Sequence, residues 1–140
     1  MTDCIFCRIV AGQAPASVVH RDTLCAAFMD IQPINPGHLL VAPLAHAADL
    51  AALEPETGAQ LMRVAQRLAR AVRQSGLRCE GVDLFLADGE AAGQEVFHVH
   101  LHVIPRFSGD GFGFIFGHDY GRLPSREVLD QAAADLRRVL

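Results

Sequence analysis

The sequence predicts one α+β domain over residues 1–140, with an antiparallel sheet of about five strands. A chain of 140 residues is the size of a single compact domain. Strand-like runs follow one another with turn residues between them, which is typical of antiparallel succession. Helical periodicity is confined to one long mid-chain segment and one C-terminal segment. Strands and helices grouped in this way indicate the α+β class.

Composition excludes several classes of partner. The net charge is −4 and no run of Lys or Arg is present, so a nucleic-acid partner is disfavoured. No apolar stretch approaches the roughly 20 residues that a bilayer requires, and the N-terminal residues lack the layout of a signal peptide. We therefore expect a cytoplasmic protein without a membrane partner. Its four cysteines should stay reduced, as metal ligands or buried apolar groups.

The first half of the chain is predicted to contain three strands. Residues 4–10 form a compact apolar start. Runs at residues 17–20 and 24–29, with turn-forming residues between them, suggest a hairpin. Pro36 and Gly37 favour a tight turn, because proline presets φ and glycine accepts a positive φ. A third strand over residues 38–42 is expected to stop at a proline.

The second half is predicted to contain two helices and two further strands. Pro55 suits the first position of a helix and Gly76 can close it. Between them, apolar residues recur at intervals of three and four and predict a core-facing stripe. Strands are expected at residues 82–86 and 95–104, with a loop over residues 88–94 between them. Residues 107–121 are predicted to form a long loop, and Ser125 to cap a final helix.

Three histidines alternate with apolar residues in the fifth predicted strand, at His98, His100 and His102. Successive side chains of a strand point to opposite faces, so the three imidazoles should share one face at steps of roughly 6.6 Å. The intervening apolar residues should face the core. Three histidines at this period favour a function over a purely structural role.

Such a row has three possible uses. A single catalytic metal is disfavoured, because the outer histidines are about 13 Å apart and metal–nitrogen bonds are near 2.1 Å. Binding of an anion by imidazole donors is the second use. Nucleophilic attack by a neutral imidazole is the third, and it needs an acceptor for the other ring nitrogen. Gly89 and Gly93 in the preceding loop could bring backbone N–H groups close to a phosphate.

The segment from His98 to Ile104 resembles the signature of the histidine triad (HIT) family, which is His-apolar-His-apolar-His followed by two apolar residues. The likeness covers nearly the whole chain, and it is strengthened by matches to the bacterial branch of the family. These matches are residues 28–31, 35–38, 92–94, 105–106 and 120–122. The resemblance implies a HIT-like fold and a homodimer that binds purine nucleotides. It also implies hydrolysis or transfer of nucleoside monophosphates from dinucleoside polyphosphates or phosphoramidates.

The resemblance also assigns roles to individual residues. His100 would attack the α-phosphate and form a covalent nucleotidyl-histidine. His102 would contact the phosphate or the leaving group, and His38 would be an accessory histidine. Asp30 would accept hydrogen bonds from the ribose and Ile31 would lie against the base, although Asp30 alone could equally cap a turn. The loop would complete the nucleotide site with Gly93, Gln94, Glu95 and Val96.

Two positions depart from the family pattern. Ala87 stands where the family commonly has an Asn or Gln that reaches the phosphates, so that donor is missing unless Asp88 or Gln94 replaces it. Glu95 stands where some relatives have Ser or Thr. These departures keep open an alternative function, a nucleotide-binding regulatory or scaffolding protein with little turnover.

The N-terminal Cys4-x-x-Cys7 motif is half of a four-ligand zinc site. Alone it is a weak signal, and the alternative is two small apolar residues in the N-terminal segment. The resemblance supplies His46 and His98 as the other two ligands. A set of two cysteines and two histidines is closed, so the zinc would be structural, and no organic cofactor is expected.

Overall fold

The computed structural model describes residues 3–140. Its sheet has five strands in the order β1-β2-β3-β5-β4, and every pair of neighbouring strands is antiparallel. The α+β prediction is therefore confirmed. The strands are β1 (Val18–Arg21), β2 (Cys25–Met29), β3 (Leu39–Pro43), β4 (Gly81–Phe85) and β5 (Leu101–Arg106). The helices are α1 (Ile5–Val10), α2 (Pro55–Gln74) and α3 (Arg126–Arg137), with a 3₁₀ turn at Glu90–Ala92.

The local signals for the hairpin and for α2 are confirmed. The carboxylate of Asp22 closes the turn between β1 and β2 by accepting the N–H groups of Leu24 and Cys25, each at 2.8 Å. Gly37 has a φ of +92°, and a Cβ there would lie 2.8 Å from the side chain of Leu77, so only glycine fits this turn. Residues 107–121 contain no helix or strand, as expected.

The sheet has a different layer on each face. One face packs against α2, whose buried stripe includes Leu61 and Val64, and this cluster also contains Val99 and Val103. The other face carries a smaller cluster built around Phe6 of α1 and Phe28 of β2. The core is thus on the α2 side, and the second face is left for the histidines.

The fifth strand begins later than predicted. We expected it over residues 95–104, but it covers Leu101–Arg106, so His98 and His100 precede it. β3 pairs with β5 only over Leu101–Val103, and the N–H of Val99 donates instead to the carbonyl of Ala47 at 2.8 Å. The strand also continues through Pro105, whose carbonyl accepts from Asn35 on the side where β3 has ended, so no ladder bond is lost.

The N-terminal helix adds to the sequence prediction, and the C-terminal helix agrees with it. α1 lies in the segment described above only as a compact apolar start, and it is six residues long. α3 begins where expected, with the Ser125 side chain accepting from the N–H of Val128, and it buries none of its residues. Among residues 3–140 there is no helix that is long and apolar enough to cross a membrane.

Candidate functional site

The side chains of the three histidines of the alternating run point in two directions. The apolar residues between them, Val99 and Leu101, belong to the α2 core, so the predicted alternation of faces is confirmed. His98 is fully buried and its Nδ1 atom points at two cysteines. His100 and His102 line a cavity instead, with ring centroids 4.9 Å apart.

This cavity has a volume of about 690 Å³ and opens beside the loop before the histidines. Most of the residues assigned above to catalysis and nucleotide binding meet in its lining. They are His38, His100, His102, Asp30, Ile31, Gly93, Glu95 and Val96. Gln94 does not line it. A volume in the range of roughly 300–1,000 Å³ is typical of small-molecule sites.

Local backbone fixes the tautomer of His100. Its Nδ1 atom lies 2.8 Å from the carbonyl oxygen of His98, so Nδ1–H donates to that carbonyl. The lone pair is then on Nε2, the nitrogen that a nucleophilic imidazole needs. The ring also meets the edge of Phe6, with centroids 5.0 Å apart. His100 is thus held in one tautomer and one orientation.

A second chain of hydrogen bonds fixes the tautomers of His38 and His102. The N–H of Ile34 donates to His38 Nδ1 at 3.1 Å, so the His38 proton is on Nε2. That proton is donated to His102 Nδ1 at 2.8 Å. His102 therefore carries its own proton on Nε2 and offers it as a donor to a cavity ligand.

Burial keeps these two histidines neutral. It lowers the pKa of His102 to about 4, with smaller contributions from His100 and His38, while Asp30 opposes the shift. Burial lowers the pKa of His38 in the same way. Because both stay uncharged near pH 7, the donor at His102 is an N–H dipole rather than a permanent cation.

The position of Asp30 is compatible with both expected roles, a turn cap and a contact to the ribose. Its Oδ1 accepts the N–H of Gln32 at 2.8 Å, which caps a turn. Its Oδ2 lies at the cavity, 3.5 Å from His38 Nε2. Ile31 beside it is 98% exposed, so an apolar side chain stands at the cavity without a protein partner over it.

A second cluster lies behind the cavity. Cys4, Cys7, His46 and His98 each offer one donor atom, and the four atoms lie within 4.8 Å of one another. The Nδ1 atoms of the two histidines are 3.3 Å apart, and the sulfur–nitrogen contacts span 3.3–3.5 Å. Tetrahedral zinc bonds would place two nitrogens about 3.4 Å apart, and a sulfur about 3.6 Å from a nitrogen.

The surroundings of His98 also fit a metal ligand. Its Nε2–H donates to the carbonyl of Pro43 at 2.8 Å, which leaves the lone pair on Nδ1, facing the cysteines. Burial lowers the pKa of His98, which favours the neutral form that metals bind. The donor set and its spacing therefore suit a tetrahedral metal ion.

Comparison with known proteins shows the family of this chain. A family model described as the HIT domain matches residues 11–109. The chain belongs to the HIT family. A HIT-like protein of Borreliella burgdorferi is 40% identical over 84% of this chain and 86% of its own length. The matched segment includes the three alternating histidines, His98, His100 and His102.

Two further HIT relatives have informative names. A histidine triad protein of Mycobacterium smegmatis, described as Zn-bound, is 43% identical, with a TM-score of 0.76 over 99% of this chain and 98% of its own. An adenylylsulfatase of Arabidopsis thaliana is 33% identical over 77% of this chain and 54% of its own length.

The departures from the HIT pattern are not compensated by their neighbours. Ala87 is buried, and Asp88 accepts the N–H of Leu50 at 2.9 Å. Gln94 is 4% exposed and turns into its own loop: its Oε1 accepts from Gly89, and its Nε2 donates to the carbonyls of Ala48 and Val96. Gln94 thus braces the loop and does not line the cavity, and its expected role as a nucleotide contact stays a prediction.

Sequence reasoning also missed one wall of the cavity. Ile5, Phe6 and Ile9 of α1 line it, and so does Phe85 at the end of β4. The available signal was the position of Ile5 and Phe6 between the two cysteines. A metal held by both cysteines and His98 would require the residues between them to lie close to the triad.

Proposed function

We propose that this HIT-family chain is a nucleotidyl hydrolase or transferase that acts at the α-phosphate of purine nucleotides through His100. The carrying observation is the hydrogen bond from His100 Nδ1 to the His98 carbonyl, which leaves Nε2 free in the cavity. Dinucleoside polyphosphates and nucleoside phosphoramidates are the proposed substrates. The adenylylsulfatase relative supports hydrolysis of an adenylyl compound.

The proposed reaction has two displacements. Nε2 of His100 attacks the α-phosphorus, and the leaving group departs with the electron pair of the P–O or P–N bond. The adduct is an imidazolium whose Nδ1–H still donates to the His98 carbonyl, which stabilises its positive charge. Water then attacks the phosphorus, loses a proton to solvent and releases the nucleoside monophosphate and neutral His100.

His102 supplies the donor in this scheme. Its Nε2–H would bond a phosphate oxygen or the leaving atom as negative charge develops there. The bond that it accepts from His38 keeps the proton on that nitrogen. Asp30 and Ile31 are proposed to hold the ribose and the base, and the loop residues Gly93, Glu95 and Val96 to flank the phosphates.

The test is mass spectrometry of the protein after brief exposure to adenosine phosphoramidate. We expect a covalent adenylyl adduct on the native protein. The His100→Ala variant should form no adduct and should lose turnover by a factor on the order of 10⁴. His118→Ala is the control, because His118 is exposed and outside the cavity lining. Near-normal turnover in His100→Ala would reject the nucleophile.

A nucleotide-binding protein with little turnover is the second candidate. It is favoured by Ala87, because neither Asp88 nor Gln94 replaces the missing donor, and by the exposed Glu95 carboxylate at the cavity. The same experiment separates the two candidates. Tight binding of AMP by the unmodified protein, with neither adduct nor product, would establish the binding function.

We also propose that the Cys/His cluster holds one structural zinc ion. When bound, zinc would tie Cys4 and Cys7 to His46 and His98, and hold the N-terminal helix against the sheet. Metal analysis should find about one zinc per chain in protein purified without chelators, little in Cys7→Ser and an unchanged amount in Cys79→Ser. A value well below one in the native protein would reject the site.

We also propose that the chain forms a homodimer, as the family resemblance implies. Several apolar side chains of the C-terminal region are largely exposed in the single chain, among them Ile115 at 98% and Leu123 at 91%. A second copy would give such residues a partner. Light scattering coupled to size-exclusion chromatography measures the mass directly, and a mass of one chain across the micromolar range would reject the dimer.

A further inference from the structure

The N-terminal helix α1 belongs to two sites at once. Its first turn is bracketed by Cys4 and Cys7 of the Cys/His cluster. The residues between and after them, Ile5, Phe6 and Ile9, form one wall of the cavity. A metal bound by the cysteines and a nucleotide bound in the cavity would therefore both hold this helix in place.

Few other contacts hold the first turn of α1. It has six residues, below the roughly 12–15 at which an isolated helix becomes even marginally stable in water. Cys4 at its N-cap position makes no side-chain capping bond, and only Phe6 and Val10 are buried. Arg21 donates to the carbonyl of Val10 at 2.7 Å and secures the C-terminal end. The first turn thus depends on the sulfur ligands and on the packing of Phe6.

Phe6 connects the two sites physically. Its ring centroid lies 5.8 Å from that of His98, a proposed zinc ligand, and 5.0 Å from that of His100, the proposed nucleophile. Both contacts are edge-to-face, and Phe28 closes the other side at 5.4 Å. A second connection runs through the backbone, since the carbonyl of His98 holds Nδ1–H of His100. Displacing α1 would remove the first connection.

We propose that metal binding at the Cys/His cluster and nucleotide binding in the cavity are positively coupled through α1, with Phe6 as the positioning residue that transmits the coupling. Whichever ligand binds first meets most of the cost of ordering α1, so the second binds more tightly. Coupling of this kind is reciprocal, so each ligand raises the affinity of the other by the same factor. The proposal rests on the nucleotide-binding function proposed above.

Two titrations test the coupling. Calorimetry gives the dissociation constant of AMP for zinc-loaded and metal-free protein, and competition with a chromophoric chelator gives that of zinc with and without saturating AMP. Both should shift in the favourable direction by the same factor, within the range of about 5- to 150-fold that is usual for coupled sites. In Phe6→Leu the factor should fall to about two or less. Phe107→Leu, whose ring contacts Arg78 instead, should keep the native factor.

The outcomes distinguish a failure of the coupling from a failure of nucleotide binding. Equal AMP affinity with and without zinc would overturn the coupling and leave nucleotide binding intact, whereas no AMP binding to zinc-loaded protein would overturn both. Circular dichroism shows whether the metal-free chain stays folded. If the metal-free chain unfolds, the change in zinc affinity caused by AMP is compared between the two variants. The same change in Phe6→Leu and Phe107→Leu would overturn the role of Phe6 and the proposed coupling path.

Discussion

Replacing Gln94 by glutamate tests the loop that borders the cavity. The side chain is 4% exposed and makes three bonds to backbone groups. Its oxygen accepts from Gly89 at 2.8 Å, and its nitrogen donates to the carbonyls of Ala48 and Val96 at 2.7 and 3.1 Å. A carboxylate has the same shape but no donor, so it would point an anionic oxygen at two carbonyl oxygens.

The size of the effect follows from this geometry. If the introduced carboxyl group stays neutral, it keeps one donor and loses one bond, which costs about 1 kcal/mol. Holding it neutral costs a further ~1.4 kcal/mol for each pH unit above an ordinary glutamate pKa near 4.3. We expect the free energy of unfolding to fall by about 2 kcal/mol at pH 5 and by about 3–6 kcal/mol at pH 8. The lower end of the second range applies where the carboxyl group ionises inside the folded protein instead of staying neutral. Because the folded-state pKa is raised, stability falls as pH rises.

Urea unfolding of nucleotide-free protein at pH 5 and pH 8 measures this loss. Gln66→Glu is the control, because Gln66 is exposed on α2 and the same change of charge there should alter stability by no more than about 0.5 kcal/mol. Unfolding free energies within that margin of the native protein at both pH values would refute the bracing role. A loss of AMP affinity without any loss of stability would instead restore Gln94 as a direct nucleotide contact.

Two other predictions concern the cavity histidines and the core. Burial lowers the pKa of His102 to about 4, so its contribution to stability is present above the unfolded-state pKa near 6.5 and is lost as pH falls towards 4. Stability should fall by about 1 kcal/mol more in native protein than in His102→Phe between pH 7.5 and 5.5, and an equal fall in both would contradict this. Leu61 is 2% exposed in the α2 core, so Leu61→Ala should cost about 3–5 kcal/mol by urea unfolding. Met62→Ala, at a 52% exposed neighbour, should cost under about 0.5 kcal/mol, and similar losses in the two variants would refute the assignment of the core stripe.

Local sequence signals predicted most of the sheet and the long helix. The hairpin needs only Asp22 and the residues that follow it, and α2 needs a proline at its start and an apolar stripe, so both are encoded within a few residues. The alternation of His98 to Val103 predicted which side chains face the core, because strand geometry sets that period. The cytoplasmic location, the single domain over residues 1–140 and the absence of a nucleic-acid partner stay predictions.

Contacts between residues distant in sequence decided the features that local signals did not predict. α1 is too short to be indicated by periodicity, and it is held by contacts of Phe6 with a strand and a histidine far along the chain. The role of Gln94 depended on where the carbonyl of Ala48 lies, 46 residues away. No local pattern reports such a distance, because only the packed chain sets it.

The three histidines show most clearly what the sequence predicts and what only the tertiary structure decides. Sequence by itself predicted that His98, His100 and His102 lie opposite the core-facing residues between them, and that the chain resembles the HIT family. Only the tertiary structure separated their directions, because β3 pairs with β5 no further back than Leu101. Before Leu101, the N–H of Val99 donates to the carbonyl of Ala47 instead, and the side chain of His98 points towards the cysteines. His100 and His102 line the cavity. Hydrogen bonds of the folded backbone then chose the tautomers of His100 and His102, which no spacing in the sequence specifies.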